Sequence, residues 1–231
     1  MDEPRVYRQV RFAPPAGSTE LLLVRHGESE VSVAGQSFPL LDGQGDPGLS
    51  PDGVAQAADV CTRLQGEDID AIYVSPLRRT AQTAEPLARR LGMTPAVERD
   101  LREVHLGEWE GGVYRQKVIE GDPLGVRILA EQRWDVIPGA EAAEDFARRV
   151  RGAVERITAA HPDQRVAVFA HGGTIGEILH QATGSQPFAF MGADNASISH
   201  VVVSDDHWIL RRYNDTSHLS ARLTARPEPL T

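Results

Sequence analysis

Three apolar runs of strand length, Glu20–Val24, Ile69–Val74 and Val166–Ala170, are each followed by a segment of helical periodicity. That alternation constrains the fold more than any other feature of the chain. A strand buried on both faces reads as a continuous apolar run, whereas a strand with one wet face alternates. Buried strands joined through helices imply a parallel sheet covered on both sides, because parallel neighbours need a long crossover. Two later runs, Ile198–Val203 and Trp208–Tyr213, are separated only by SDDH and read as a hairpin. The expectation is an α/β protein: a three-layer α/β/α sandwich with a mostly parallel sheet and an antiparallel edge.

The helices announce themselves by their starts. Ser50-Pro51 supplies an N-cap and a proline for the first turn, followed by Val54, Ala57, Ala58, Cys61 and Leu64 as the apolar face. Ser75-Pro76 repeats the device, and that helix is expected to run to Leu91 before Gly92, kinked at Pro86. Ala140 to Ala159 and Thr174 to Gln181 complete the set. Residues 107–139 carry Trp109, Tyr114 and Trp134 among several glycines and read as a lid insertion or an irregular excursion. The remaining divisions are an N-terminal extension over 1–18, one domain over 19–220, and a flexible tail over 221–231.

A net charge of -9 argues against broad contact with nucleic acid or an anionic membrane, both of which select basic surfaces. It leaves room for a small anionic ligand in a local positive pocket. The single cysteine, Cys61, forms no internal disulfide, and no apolar run approaches the roughly 18 residues of a membrane span. An acidic N-terminus without a hydrophobic stretch is no secretory signal, so a cytoplasmic protein is expected. The expected partners are a small phosphorylated substrate and, at most, a second copy of the chain in a homodimer.

Ligands bind open parallel sheets beyond the carboxyl ends of the strands, and there unrelated parts of this sequence converge. The first strand ends in Arg25-His26-Gly27, the second in Ser75-Pro76-Leu77-Arg78, and the third in His171-Gly172-Gly173 at the start of a helix. The segment LREVHLGEWEG adds Glu103 beside His105. Cationic side chains gathered with helix N-termini, whose free N–H groups favour anions, describe a phosphoryl site. A neutral His26 can attack phosphorus, while Arg25, Arg78 and a protonated His171 balance the equatorial oxygens. Glu103 is the candidate acid for the leaving alkoxide. Two arginines in the same crevice would repel a cation, which disfavours a zinc triad of His26, His171 and Glu103. GQGDPG at 43–48 fits a dinucleotide pattern, but Pro47 interrupts it and no strand leads into it. No metal and no cofactor are expected.

LLLVRHGES, SPLRRTAQTA, LREVHLGEWEG and VAVFAHGGT, in that order, resemble the four signatures of the histidine phosphatase superfamily, of phosphoglycerate mutase-like fold. The resemblance implies that His26 is the phosphorylated nucleophile and Glu103 the proton donor. It assigns Arg25, Arg78 and His171 to the phosphate pocket, with the Gly172 amide also facing the phosphate. Ser32, expected among the substrate-binding residues, stands where the family usually has an asparagine, and the stretch from Val33 to Gly48 is longer than usual. Arg102, Val104, Leu106 and EWEGG replace groups with which a mutase of the family grips its substrate. The reading is therefore a metal-independent phosphomonoester hydrolase, with a mutase-type phosphotransferase or a non-catalytic phosphate-ligand binder as the alternatives.

Overall fold

The computed structural model describes residues 6–205 and 207–219, so the tail expected over 221–231 lies outside the described residues. The central sheet is assembled from β1 (Thr19–Arg25), β4 (Ala71–Val74), β5 (Ala96–Val97), β6 (Arg165–Ala170), β7 (Ile198–Val203) and β8 (Trp208–Asp215). Its order is β5-β4-β6-β1-β7-β8. The first four are parallel and the last two antiparallel, as the apolar runs imply. Two short strands, β2 (Leu40–Leu41) and β3 (Gln44–Gly45), pair separately as a small flap.

Side-chain alternation along β1 divides the core. Leu21 and Leu23 face α5 (Ala143–Ala160) and α6 (Gly172–Thr183) together with Val166 and Val168. Leu22 and Val24 face α1 (Pro51–Leu64) and α2 (Arg78–Leu91) together with Ala167 and Phe169. Each side chain of this kind contributes about 1.5–3 kcal/mol when fully buried, so both helix layers are fixed by the strands they cover. Among the described residues no helix is long and apolar enough to cross a membrane.

Several boundaries differ from the sequence reading. The buried face of α1 is Gly53, Ala57, Val60 and Leu64, while Val54 is 60% exposed. That face is rotated because Gly53 must lie flat against the turn that follows β1, and Cys61 packs only at its margin. Helix α2 begins at Arg78 with Leu77 as its cap, and it continues unbroken through Pro86. Ser75 lies ahead of the helix, where its hydroxyl accepts from Leu77 N at 3.2 Å and contacts His171 Nε2 at 2.8 Å. The excursion at 107–139 is ordered. It holds α3 (Val113–Ile119) and α4 (Pro123–Glu131) around a small core of Trp109, Ile128 and Ile137, and forms one wall of a cleft.

Candidate active site

The cleft opens where β1, β4 and β6 end. The register pairs Arg25 with Ala170 and Val74 with Phe169, so Arg25-His26, Ser75 and His171 emerge side by side. The cleft has a volume of about 170 Å³, and its wall includes Arg25, His26, Arg79, Glu103, Gly172 and Gly173. Gln44 and Phe38 close it from the flap, and Trp109, Tyr114, Arg115 and Trp134 from the excursion.

His26 is held by the backbone around it. Its N–H donates to Ala170 O, and its carbonyl accepts from Ala196 N and Asn195 Nδ2. Nδ1 lies 2.7 Å from Gly27 O. A carbonyl only accepts, so Nδ1 carries the proton and Nε2 keeps its lone pair. Burial, reinforced by Arg79 and Arg25, pushes the His26 pKa well below the ordinary imidazole value, so the ring is neutral. The turn is set by close packing. A Cβ on Gly27 would meet Gly53 O at 2.6 Å, and one on Gly53 would meet Glu28 O at 2.0 Å. Glycine at both positions lets the start of α1 lie directly against the residues after His26.

The arginine that accompanies His26 from α2 is Arg79, and this corrects the assignment to Arg78. Arg79 is 8% exposed and lines the cleft, with Nη1 bonded to Gly45 O at 3.0 Å. Arg78 is exposed and grips Asp46, its N–H on Oδ1 at 2.7 Å and its Nε on the carbonyl at 3.1 Å. The signal was present in the helical period. Thr80, Thr83, Ala84 and Leu87 face inward, and Arg79 shares a face with Thr83 at i+4, whereas Arg78 falls beside Gln82 and Glu85. Burial lowers the pKa of Arg79 to about 10, so it remains a cation at neutral pH. Burial likewise lowers that of Arg25, whose Nη1 donates to Ala193 O.

His171 is completely buried, its ring edge-on to that of His26 at a centroid distance of 5.2 Å. Nε2 lies 2.8 Å from Ser75 Oγ, and Nδ1 has no partner among the described residues. Burial first, then Arg79 and His26, push its pKa well below the ordinary value. These surroundings favour the neutral ring over the imidazolium expected from the sequence.

Glu103 sits at the start of α6. Oε2 accepts from Gly173 N at 2.9 Å, and Oε1 from Thr174 N at 3.1 Å and Val104 N at 2.9 Å. Its carbonyl accepts from Gln44 Nε2 and from Arg149 Nη2, and Arg149 is itself clamped by Glu141 at 2.6 Å. Arg149 is a positioning residue that no motif announces. The carboxylate occupies the anion-binding end of the helix that an incoming phosphoryl group would seek. Gly172 lines the cleft beside Arg25.

Ser32 is not part of the cleft wall. Its hydroxyl donates to Gly112 O at 3.0 Å and accepts from Gln116 Nε2, tying the residues before the flap to the excursion. His105 is half-buried and turns Nδ1 to the N–H of Gly107, away from the cleft. Trp109 is buried in packing, yet it and Trp134 also border the cleft. Among the described residues no cluster of three or more His, Cys, Asp or Glu side chains is placed to hold a metal ion.

Comparison with known proteins gives a consistent picture. The family model of the histidine phosphatase superfamily (branch 1) matches residues 21–216. A metal-independent phosphoserine phosphatase of Arabidopsis thaliana is 33% identical over 88% of this chain and 84% of its own. Phosphoserine phosphatase 1 of Hydrogenobacter thermophilus is 32% identical over 87% of this chain and 94% of its own. Among solved structures, a mycobacterial glucosyl-3-phosphoglycerate phosphatase superposes with a TM-score of 0.71 at 30% identity, covering 85% of this chain and 99% of that one. These relatives are phosphatases acting on small phosphorylated metabolites, and the fold is that of the same group. The chain belongs to the histidine phosphatase superfamily.

Proposed function

We propose that this phosphatase hydrolyses small phosphomonoesters through a phosphohistidine at His26, without a metal. The observation that carries the reading is the Nδ1 contact of His26 with Gly27 O at 2.7 Å, which reserves Nε2 for phosphorus in a pocket that keeps the ring unprotonated. Nε2 attacks phosphorus, the P–O bond to the alcohol breaks, and a phosphoramidate forms on the ring. Arg25 and Arg79 hold the equatorial oxygens and balance the charge that moves through them. The incoming dianion competes with Glu103 for the amides of Gly173 and Thr174. Displaced from them, the carboxylate takes up a proton from solvent and delivers it to the leaving oxygen. In the second half the same carboxylate takes a proton from water, whose oxygen attacks phosphorus and releases inorganic phosphate and neutral His26.

The net charge of -9 supports action without nucleic acid or an anionic membrane surface, and the enzyme is proposed to act in the cytoplasm as a monomer or homodimer. The test is phosphate release from p-nitrophenyl phosphate by the purified protein in the presence of a chelator, compared with His26→Ala. Release by the first and none by the second is expected. Equal release by both, or dependence on added metal, would overturn the reading.

A further inference from the structure

The phosphoryl chemistry leaves one cation in the cleft unused. Arg115, on α3, is half-buried and lines the same cavity as Arg25, His26 and Arg79. It reaches the cavity from the opposite wall. Nη1 donates to Glu30 O at 2.7 Å, Nη2 to Ser29 Oγ at 2.5 Å, and the guanidinium lies 5.5 Å from the centre of the Phe38 ring. Those contacts orient it and occupy two of its five N–H groups. They do not neutralise it.

Among the described residues no carboxylate forms an ion pair with Arg115, and Glu28 acts on it only at longer range. Burial and the nearby Arg25 both weigh against its charge. By contrast, Arg149 pairs with Glu141 and Arg78 with Asp46. A desolvated guanidinium kept without one, beside two more arginines, is costly unless an anion arrives. The transferred phosphoryl group is already served by residues at the strand ends and the start of α6. Arg115 comes with Phe38, Tyr114 and Trp134 from the walls that would enclose the rest of the ester.

We infer that Arg115 is a specificity residue that pairs with a carboxylate on the alcohol half of the substrate, so the preferred substrates are phosphomonoesters of hydroxy acids. This rests on the hydrolase reading and names its substrate class. A planar, bidentate guanidinium suits a carboxylate, and a charge-assisted pair of this kind is worth roughly a 10–100-fold preference.

The experiment compares two competitors of p-nitrophenyl phosphate hydrolysis that differ only at one carbon. In 3-phosphoglycerate that carbon is a carboxylate, and in glycerol 3-phosphate it is a hydroxymethyl group. The wild-type protein should be inhibited more strongly by the first, and Arg115→Met should shrink the ratio of the two inhibition constants by about 10–100-fold. Arg115→Lys should keep an intermediate ratio, since it retains the charge and loses the fork. An unchanged ratio in Arg115→Met overturns the inference, whether or not overall activity falls, because it makes Arg115 a phosphoryl or structural group. So does a wild-type protein that shows no preference. Should p-nitrophenyl phosphate not be hydrolysed at all, the hydrolase reading fails separately, and calorimetric affinities for the same pair decide the role of Arg115.

Discussion

Arg78 and Arg79 are consecutive on α2 and grip consecutive carbonyls of the flap, those of Asp46 and Gly45. Arg78 is exposed outside the cleft, whereas Arg79 is buried and lines it with His26. Only the inner one can meet a phosphoryl oxygen. Arg79→Ala is expected to lower kcat/KM by about 10²–10³-fold, the usual cost of removing one preorganised charge from such a site. Arg78→Ala should stay within a few-fold of wild type. Steady-state rates on p-nitrophenyl phosphate check the pair, and the reverse order would return the assignment to Arg78.

The neutral histidines tie stability to pH. His26 and His171 have folded-state pKa values pushed below the ordinary imidazole value. The unfolded chain therefore takes up their protons first as pH falls, starting near 6.5. Stability should decline with acidification below that value, by up to about 1.4 kcal/mol per pH unit for each ring. Urea unfolding at pH 7.5, 6.5 and 5.5 measures the slope, and His171→Gln should flatten it by one ring's share. A variant with the same slope as wild type would show that His171 is charged in the folded protein.

How much of this was legible beforehand depended on whether a local pattern decides the outcome. The strands around Leu21–Val24 and Val166–Ala170 were legible because burial on both faces leaves an unmistakable apolar run. The motifs carrying His26, Glu103 and Gly172 point to one end of the sheet, where these residues line one cleft with Arg25, and His171 lies fully buried with its ring 5.2 Å from that of His26. The choice of Arg79 over Arg78 needed the phase of a helix whose start was misplaced, because the helix begins at Arg78 with Leu77, not Ser75, as its cap. Ser32, Arg115 and Arg149 were not legible. Their roles follow from contacts 46 to 86 residues away in sequence, which no local spacing encodes.

The turn after His26 offers a test that leaves every catalytic side chain in place. Gly53→Ala puts a methyl group where Glu28 O lies 2.0 Å from the ideal Cβ, a backbone atom that cannot swing aside. Overpacking of this kind costs about 1–3 kcal/mol, and relief requires the start of α1 to move away from the turn that carries His26. Thermal melting should register the loss and kcat should fall with it. An unaltered Tm and rate would mean that the turn and α1 are less tightly joined.

Glu103→Gln separates a proton donor from a group that merely fills the start of α6. An alkyl phosphate expels a basic alkoxide that needs the proton, whereas nitrophenolate departs nearly unaided. The variant should slow alkyl ester hydrolysis by about 10²–10⁴-fold and p-nitrophenyl phosphate hydrolysis far less. Equal losses on both substrates would reduce Glu103 to an organiser of the Gly173 and Thr174 amides.

The covalent intermediate is the most direct point of attack. The protein mixed with a ³²P-labelled phosphomonoester and quenched within the first turnovers should carry label that survives alkali and is lost in acid, as a phosphoramidate is. Peptide mapping should place it on His26, and His26→Ala should carry none. Label that survives acid, label on another residue, or phosphate released with no protein-bound label at any quench time would contradict the phosphohistidine mechanism.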